Sequence, residues 1–222
     1  MKIIAHRGLS ESYPENTLLA FQKAIEAGAD GIETDLRLTA DNEIVLFHDK
    51  DLNRIAKTDS RIEDLTLSEL KQFDLGEGES IVRVDELISL VDGKLTLILE
   101  IKYNLDTYKK LCEILVKKIA DKLDWVEVSC FEDRVLEYMH LLDPHIKLHK
   151  IIGNVPVLED KQFAFCNDTI SYLDVDIALR DTVLKKGLMQ KYKVIFWTVD
   201  KEDIHDQEKE AGLYGIMSNK IG

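Results

Sequence analysis

Short apolar runs alternate with longer amphipathic segments along this chain, which is the pattern of a parallel α/β fold. The apolar runs predict nine strands, at 2–6, 31–36, 44–48, 95–102, 126–130, 146–152, 172–178, 193–199 and 214–217. The amphipathic segments predict helices at 16–27, 65–73, 84–92, 107–122, 132–142, 181–191 and 201–211. This order predicts a (β/α)8 barrel, in which nine strands are one too many. The strands at 146–152 and 172–178 have the weakest patterns.

The connection between the second and third predicted strands is irregular. Residues 37–43 are too few for a crossover helix, which needs about a dozen residues. We therefore expect a barrel in which the regular alternation of strand and helix is interrupted at this point.

Three apolar runs near the start of the chain each end in ionisable residues. These residues are His6 and Arg7, Glu33 and Asp35, and His48 and Asp49. An apolar strand that is buried in a core does not need ionisable residues at its end. Because barrels and open α/β sheets place their chemistry at the carboxyl ends of parallel strands, the three runs predict one shared polar site.

The residue types at these positions indicate phosphoryl chemistry. Glu33 and Asp35 lie two residues apart, so both side chains leave a strand on the same side and repel unless a cation lies between them. Carboxylate oxygens suit Mg2+ or Ca2+. His6 and His48 would flank that ion as acid and base, and Arg7 would bind a phosphate.

A second pair of charges ends the strand at 95–102. Glu100 and Lys102 also lie two residues apart and share one side of the strand. Buried lysine and glutamate are rare unless they are paired. We predict Glu100 as the third carboxylate ligand and Lys102 as a phosphate-binding cation. The remaining histidines have no such context and are interpreted as surface or structural residues; they are His140, His145, His149 and His205.

Composition narrows the class of protein. The 222 residues, 45% of them apolar, suit a single barrel domain covering 1–222. A net charge of −13 argues against nucleic acid and anionic membranes as partners. No apolar run reaches the ~18 residues of a membrane anchor. Cys112, Cys130 and Cys166 have no paired spacing and predict buried, reduced thiols in a cytoplasmic protein.

Four short motifs occur in a recognisable order. They are His-Arg-Gly at 6–8, Pro-Glu-Asn-Thr at 14–17, Glu-Thr-Asp at 33–35 and His-Asp at 48–49. The chain resembles the glycerophosphodiester phosphodiesterases, and the resemblance resumes at 100–102 and 197–199. It implies hydrolysis of a small phosphodiester to sn-glycerol 3-phosphate and an alcohol, with one divalent cation. It also implies that the family tolerates the short connection and carries a small insertion, here 50–82, at the mouth of the site.

The same resemblance implies further residues around the substrate. Glu15 and Asn16 would line the site, and Trp197 would form a wall for the substrate alcohol. Phe131 ends a strand in a comparable way and would add to this wall. All four are therefore predicted to bind substrate.

The chain departs from the family pattern in three segments. The family's Thr-Asp is Ser218-Asn219 here, without the following proline. A glycine-containing segment is replaced by residues 54–61, and Pro-Thr-Leu by residues 82–84. We expect none of these to touch the catalytic residues, and the first two to affect the choice of substrate.

Two rival functions remain at this level. One is lysophospholipase D or a cyclising phospholipase chemistry on the same scaffold, although the charged segment 50–80 favours a water-soluble head group. The other is an inactive barrel that binds phosphodiesters or a protein. The sequence leaves open which histidine is the acid, whether a cyclic phosphate forms, and the oligomeric state.

Overall fold

The computed structural model describes residues 1–154 and 169–221. Within these ranges the strands are β1 (Lys2–His6), β2 (Gly31–Leu38), β3 (Ile44–Leu46), β4 (Val82–Arg83), β5 (Thr96–Ile101), β6 (Val126–Cys130), β7 (Leu148–Ile152), β8 (Tyr172–Asp176), β9 (Lys193–Trp197) and β10 (Gly215–Ser218). Eight of them run parallel, and β1 closes the sheet by pairing with both β2 and β10. The predicted α/β barrel is confirmed.

The surplus strand is the one at 44–48. β3 pairs with β2 in the antiparallel direction, with Leu46 opposite Leu36, and β4 extends the same hairpin. The segments at 146–152 and 172–178, whose patterns are the weakest, are both barrel strands, β7 and β8. Their patterns are weak because each buries an ionisable residue, His149 in β7 and Asp174 in β8.

The antiparallel direction of β3 corrects one part of the site prediction. His48 does not end a parallel strand, because β3 runs back along β2. The backbone N–H of Phe47 donates to the carbonyl of Asp35, at 2.9 Å. His48 therefore arrives beside the carboxyl end of β2 by way of a hairpin, and the predicted convergence on one rim still holds.

The helices follow the amphipathic pattern, with two interruptions. They are α1 (Leu18–Glu26), α2 (Asn53–Ala56), α3 (Leu67–Leu70), α4 (Val84–Val91), α5 (Tyr108–Ile119), α6 (Asp133–Leu142), α7 (Arg180–Lys185) and α8 (Asp206–Glu210). The predicted helix at 181–191 stops before Gly187, which has a φ of 61° and starts a separate 3-10 turn, Leu188–Gln190. The predicted helix at 201–211 is divided in the same way, into the 3-10 turn Lys201–Asp203 and α8.

The described residues form three apolar clusters, one of which consists of barrel-strand residues alone, and the other two attach the helices and the insertion. Of these two, the larger one lies between the barrel strands and the helices around them. The smaller one belongs to the segment after β3, where Leu52, Ile62 and Leu70 pack against Val45 and Phe47. This segment therefore has its own small core, attached to the β3 hairpin.

Burial on both faces explains why the barrel strands position charged groups so tightly. All eight residues of β2 are buried, including Glu33 and Asp35. Cys112 and Cys130 are buried free thiols, and Cys166 lies outside the described residues. In the described part of the chain, no helix combines the length and the apolar character needed to cross a membrane.

Candidate active site

A cavity of about 80 Å3 opens at the carboxyl ends of the barrel strands. It gathers residues from the ends of all three early apolar runs and from the later strands, although these are far apart in the chain. The lining residues are His6, Arg7, Glu33, His48, Glu100, Lys102, Ser129, Phe131, Ile151, Asp174, Trp197 and Met217. The structure thus brings together most of the residues that the sequence predicts.

Three carboxylates converge beside this cavity. Glu33, Asp35 and Glu100 are buried, and each offers an oxygen within 4.8 Å of the others. Asp35 and Glu100 lie opposite each other where β2 pairs with β5. Burial, together with the charges of Asp35 and Glu100, raises the pKa of Glu33 well above its usual range. Burial also raises the pKa of Glu100, to about 7.

Two cations compensate this negative charge in part. The Lys102 ammonium lies 2.6 Å from Glu100 Oε1 and 2.8 Å from Asp35 Oδ1. Arg7 Nε lies 3.2 Å from Asp35 Oδ2. Burial alone would raise the pKa of Asp35, but Lys102 and Arg7 lower it to about 2. Neither Lys102 nor Arg7 contacts Glu33, so the negative charge of the three carboxylates is compensated unevenly.

The two predicted acid–base residues face the cavity. His6 Nε2 lies 3.9 Å from Glu33 Oε2, and burial together with the Arg7 charge lowers the pKa of His6 to about 4. His48 Nδ1 lies 2.8 Å from the Asp49 carboxylate. Burial also lowers the pKa of His48. Both imidazoles are therefore neutral at pH 7, and each can accept a proton.

The carboxylates fit a divalent cation. Glu33 Oε2 is buried and has no hydrogen-bond partner among the described residues, which leaves one carboxyl oxygen free to become a ligand. Three hard oxygen donors at this spacing match the ligands that Mg2+ and Ca2+ prefer. A bound ion would supply the positive charge that Glu33 lacks.

Comparison with known proteins identifies the family of this chain. The sequence model of the glycerophosphoryl diester phosphodiesterase family matches residues 6–222. A curated glycerophosphodiester phosphodiesterase from Caldanaerobacter subterraneus subsp. tengcongensis is 32% identical, over 98% of this chain and 93% of the relative. The chain belongs to the glycerophosphoryl diester phosphodiesterase family.

Solved structures of family members share the fold. An Oleispira antarctica phosphodiesterase in complex with the product sn-glycerol-3-phosphate has a TM-score of 0.87 at 25% identity, covering 100% of this chain and 94% of that one. A Thermotoga maritima glycerophosphodiester phosphodiesterase has a TM-score of 0.83 at 27% identity, covering 100% and 95%. The barrel and its closure are therefore those of the family.

Glu15 and Asn16, which the family motif predicts to bind substrate, lie behind the cavity and do not line it. Asn16 has a φ of 58°, and its amide Nδ2 donates to Asp35 Oδ2 at 2.9 Å. Glu15 accepts hydrogen bonds from Arg7 at 3.3 Å and from Arg54 at 2.6 Å. Their contacts hold a predicted metal ligand and a predicted phosphate-binding arginine in place.

The other two predicted substrate-binding residues do line the cavity. Phe131 and Trp197 meet edge to face, with ring centroids 6.0 Å apart. Phe131 is 43% exposed, so its ring reaches the mouth of the cavity. Trp197 Nε1 is buried and has no partner in the described chain, which leaves one donor in this wall for a ligand.

Four residues line the cavity but are not predicted from the sequence: Ser129, Ile151, Asp174 and Met217. Asp174 leaves a signal, because it is a charged residue in the middle of an otherwise buried strand. Ser129 leaves a weaker one, since a small polar residue is common in buried strands. The two apolar residues cannot be distinguished from core residues without the structure.

One departure from the family pattern does touch a predicted catalytic residue, His6. Asn219 Oδ1 lies 2.7 Å from His6 Nδ1, and Ser10 Oγ lies 3.1 Å from the same oxygen. The expectation that no departure contacts the predicted catalytic residues is therefore wrong for Asn219. The reason is topological, because β10 pairs with β1 and places residues 218–219 beside His6.

Proposed function

We propose that this protein hydrolyses glycerophosphodiesters to sn-glycerol 3-phosphate and an alcohol in the cavity at the barrel rim. The observation that carries this proposal is the convergence of three carboxylates and two neutral histidines on one cavity. Family membership supports the same reaction, and a relative from Oleispira antarctica is described in complex with this product.

The charged residues take two roles. Glu33, Asp35 and Glu100 would hold one divalent cation, Mg2+ or Ca2+. When bound, this ion supplies Lewis-acid polarisation of the phosphate and neutralises developing negative charge. Arg7 and Lys102 line the same cavity and would contact the remaining phosphate oxygens as donors.

The two histidines move protons. One imidazole takes the proton of the attacking hydroxyl or water as its oxygen bonds to phosphorus. The other imidazole first takes up a proton from solvent and then donates it to the alcohol oxygen as the bond between phosphorus and that oxygen breaks. His6 reaches the cavity from the end of β1 and His48 from the bend after β3, so they can serve opposite sides of one phosphate.

The remaining assignments follow from the cavity walls and the fold. Phe131 and Trp197 would contact the alcohol group, and Glu15 and Asn16 would support Arg7 and Asp35. We infer one catalytic domain, 1–222, whose insertion at 50–82 begins two residues after His48. A cytoplasmic location is proposed from the buried free thiols Cys112 and Cys130.

A product assay tests this function. Glycerophosphocholine, other glycerophosphodiesters and lysophosphatidylcholine are offered with and without EDTA, and sn-glycerol 3-phosphate is measured. We expect activity on glycerophosphodiesters that EDTA abolishes and that His6→Ala and Glu33→Ala remove. His145→Ala is the matched control, since the His145 side chain is exposed and bonds only Asp143 among the described residues.

Each alternative outcome has a separate meaning. A preference for lysophosphatidylcholine would favour lysophospholipase D chemistry, and a cyclic phosphate product would favour the cyclising reaction. No turnover of any phosphodiester by the metal-loaded protein would favour an inactive binding barrel.

A further inference from the structure

The backbone of His48 is held by a side chain that the reaction itself does not use. Arg37 Nη2 donates to the carbonyl oxygen of His48 at 2.8 Å, and Arg37 Nε donates to the same oxygen at 3.2 Å. Two donors of one planar guanidinium on one acceptor fix both the distance and the direction of that carbonyl.

This carbonyl needs a partner because it has left the sheet. Just before His48, the backbone N–H of Phe47 still donates to the carbonyl of Asp35 on β2, at 2.9 Å. His48 and the two residues after it form a bend. Arg37 follows Asp35 by two residues on β2, and is only 8% exposed. The Arg37 side chain therefore adds one further contact to the hydrogen bonds that join β2 to the segment after β3.

The other end of the guanidinium is anchored in the insertion. Arg37 Nη1 donates to Glu63 Oε1 at 2.9 Å, and the Glu63 side chain is only 7% exposed. Glu63 belongs to the 3-10 turn Ile62–Asp64, whose first N–H donates to the Lys50 carbonyl at 3.2 Å. The insertion thus determines where Arg37 points.

We propose that Arg37 is a positioning residue for His48, and that Glu63 aligns Arg37 for this task. The proposal rests on the proposed function, in which His48 transfers a proton. Proton transfer needs the imidazole within hydrogen-bond reach of its target, and a misplacement of about 1 Å costs on the order of 10²-fold in rate. Removing the clamp frees the bend, and His48 loses its alignment.

The chain contains a matched control with the same chemistry elsewhere. Arg180 Nη2 donates to the carbonyl of Asp203 at 2.8 Å, and Arg180 Nε lies 2.9 Å from the buried Glu208 carboxylate. Neither Arg180 nor its partners line the catalytic cavity. Replacing Arg180 therefore removes an equivalent clamp without touching a catalytic segment.

The experiment compares Arg37→Met, Arg37→Lys and Arg180→Met as full chains loaded with Mg2+. We expect Arg37→Met to lower kcat about 10- to 100-fold, with KM for glycerophosphocholine and the midpoint of Mg2+ activation within about twofold. Arg37→Lys restores only part of kcat, because one ammonium cannot replace the fork. Arg180→Met keeps kcat within about twofold.

A second readout does not depend on activity. The imidazole Cε1–H resonance of His48 in the metal-free protein shifts or broadens in Arg37→Met and stays unchanged in Arg180→Met. The inference is overturned if kcat and this resonance are unaffected in Arg37→Met, or if KM changes and kcat does not. If the parent protein turns over no phosphodiester, the proposed function fails, and the His48 resonance still decides whether Arg37 positions His48.

Discussion

The barrel contains two clusters of buried ionisable side chains, built in opposite ways. The rim cluster consists of Glu33, Asp35 and Glu100, and the interior cluster of Glu127, His149 and Asp174. In the interior cluster, the His149 imidazole lies between the two carboxylates, 2.9 Å from Glu127 Oε2 and 3.0 Å from Asp174 Oδ1. In the rim cluster, one buried oxygen of Glu33 lacks a hydrogen-bond partner in the described chain.

The pKa values express the same contrast. Burial alone would lower the pKa of His149, but the charges and hydrogen bonds of Asp174 and Glu127 raise it to about 9. The interior cluster therefore carries its own cation at neutral pH. In the rim cluster, burial and mutual repulsion raise the pKa of Glu33 instead. The interior cluster has one cation for each carboxylate, because Lys147 lies 3.5 Å from Glu127 in addition to His149. The rim cluster has three carboxylates and two cations, Arg7 and Lys102, so one carboxylate is left for a further cation.

The largest expected difference follows from removing a charge at the rim. Glu33→Gln should lower kcat on the order of 10⁴-fold, equivalent to ~5.5 kcal/mol, because the ion loses a ligand. The same variant should raise the unfolding free energy of the metal-free protein, since a buried unpaired carboxylate is gone. Steady-state kinetics and urea unfolding in EDTA measure the two effects.

Glu26→Gln provides the control for this substitution, because Glu26 lies on the surface of α1 and pairs with Lys23. It should change neither quantity appreciably. A Glu33→Gln enzyme with near-parental kcat would contradict the role given to the rim cluster.

The interior cluster should give the reverse result. His149→Leu removes the cation between two buried carboxylates, together with a ring stacked on Tyr172 at a centroid distance of 4.1 Å. We expect the unfolding free energy to fall by about 3–5 kcal/mol, because two carboxylates are left without their buried partner. Urea unfolding measures this loss, and a decrease below about 1 kcal/mol would show that the cluster does not stabilise the fold.

The two clusters should also lose stability in different pH windows. The pKa of Glu100 is raised from 4.5 to about 7, so the folded state binds more protons and stability falls as the pH rises between these values. The pKa of His149 is raised from 6.5 to about 9, so its contribution is complete below pH 6.5 and is lost as the pH rises through about 9. Across the His149 window, the unfolding free energy should fall by about 3 kcal/mol.

Urea unfolding in EDTA from pH 5 to pH 9 tests these windows. His149→Gln should remove the part of the decrease between pH 6.5 and pH 9 that His149 contributes, which is about 3 kcal/mol. Parental stability that stays level or increases between pH 6.5 and pH 9 would contradict the charge assigned to His149.

The smallest expected effect is the stabilisation of the parent protein by its ion. Mg2+ or Ca2+ at 100 times its Kd should add about 2.7 kcal/mol to the unfolding free energy, since the ion binds only the folded rim cluster. Glu33→Gln should lose this gain and His149→Gln should retain it. Thermal unfolding with and without the ion measures the difference, and an equal gain in both variants would show that the ion binds elsewhere.

The sequence predicts the barrel and the rim cluster because both depend on the spacing of residues that are close together in the chain. Apolar runs give the strands, and carboxylates two residues apart give a shared side of a strand. The direction of β3 could not be predicted in the same way. Local spacing shows that the segment after β2 is too short for a helix, but strand pairing decides where His48 arrives.

The interior cluster is the part that local spacing cannot assemble. Glu127, His149 and Asp174 lie in three successive strands, β6, β7 and β8. Each one leaves a polar interruption in an apolar run, which is a usable signal. Only the parallel register, with Ser129 opposite His149 and His149 opposite Tyr172, places them within hydrogen-bond distance. The contact of Asn219 with His6 depends on barrel closure in the same way.

Calorimetric titration of the metal-free protein with Mg2+ and with Ca2+ tests the contrast between the two clusters most directly. We predict one bound ion per chain in the parent protein and in folded His149→Gln, and none in Glu33→Gln. Binding with unchanged affinity in Glu33→Gln would contradict the assignment of the rim cluster as the metal site.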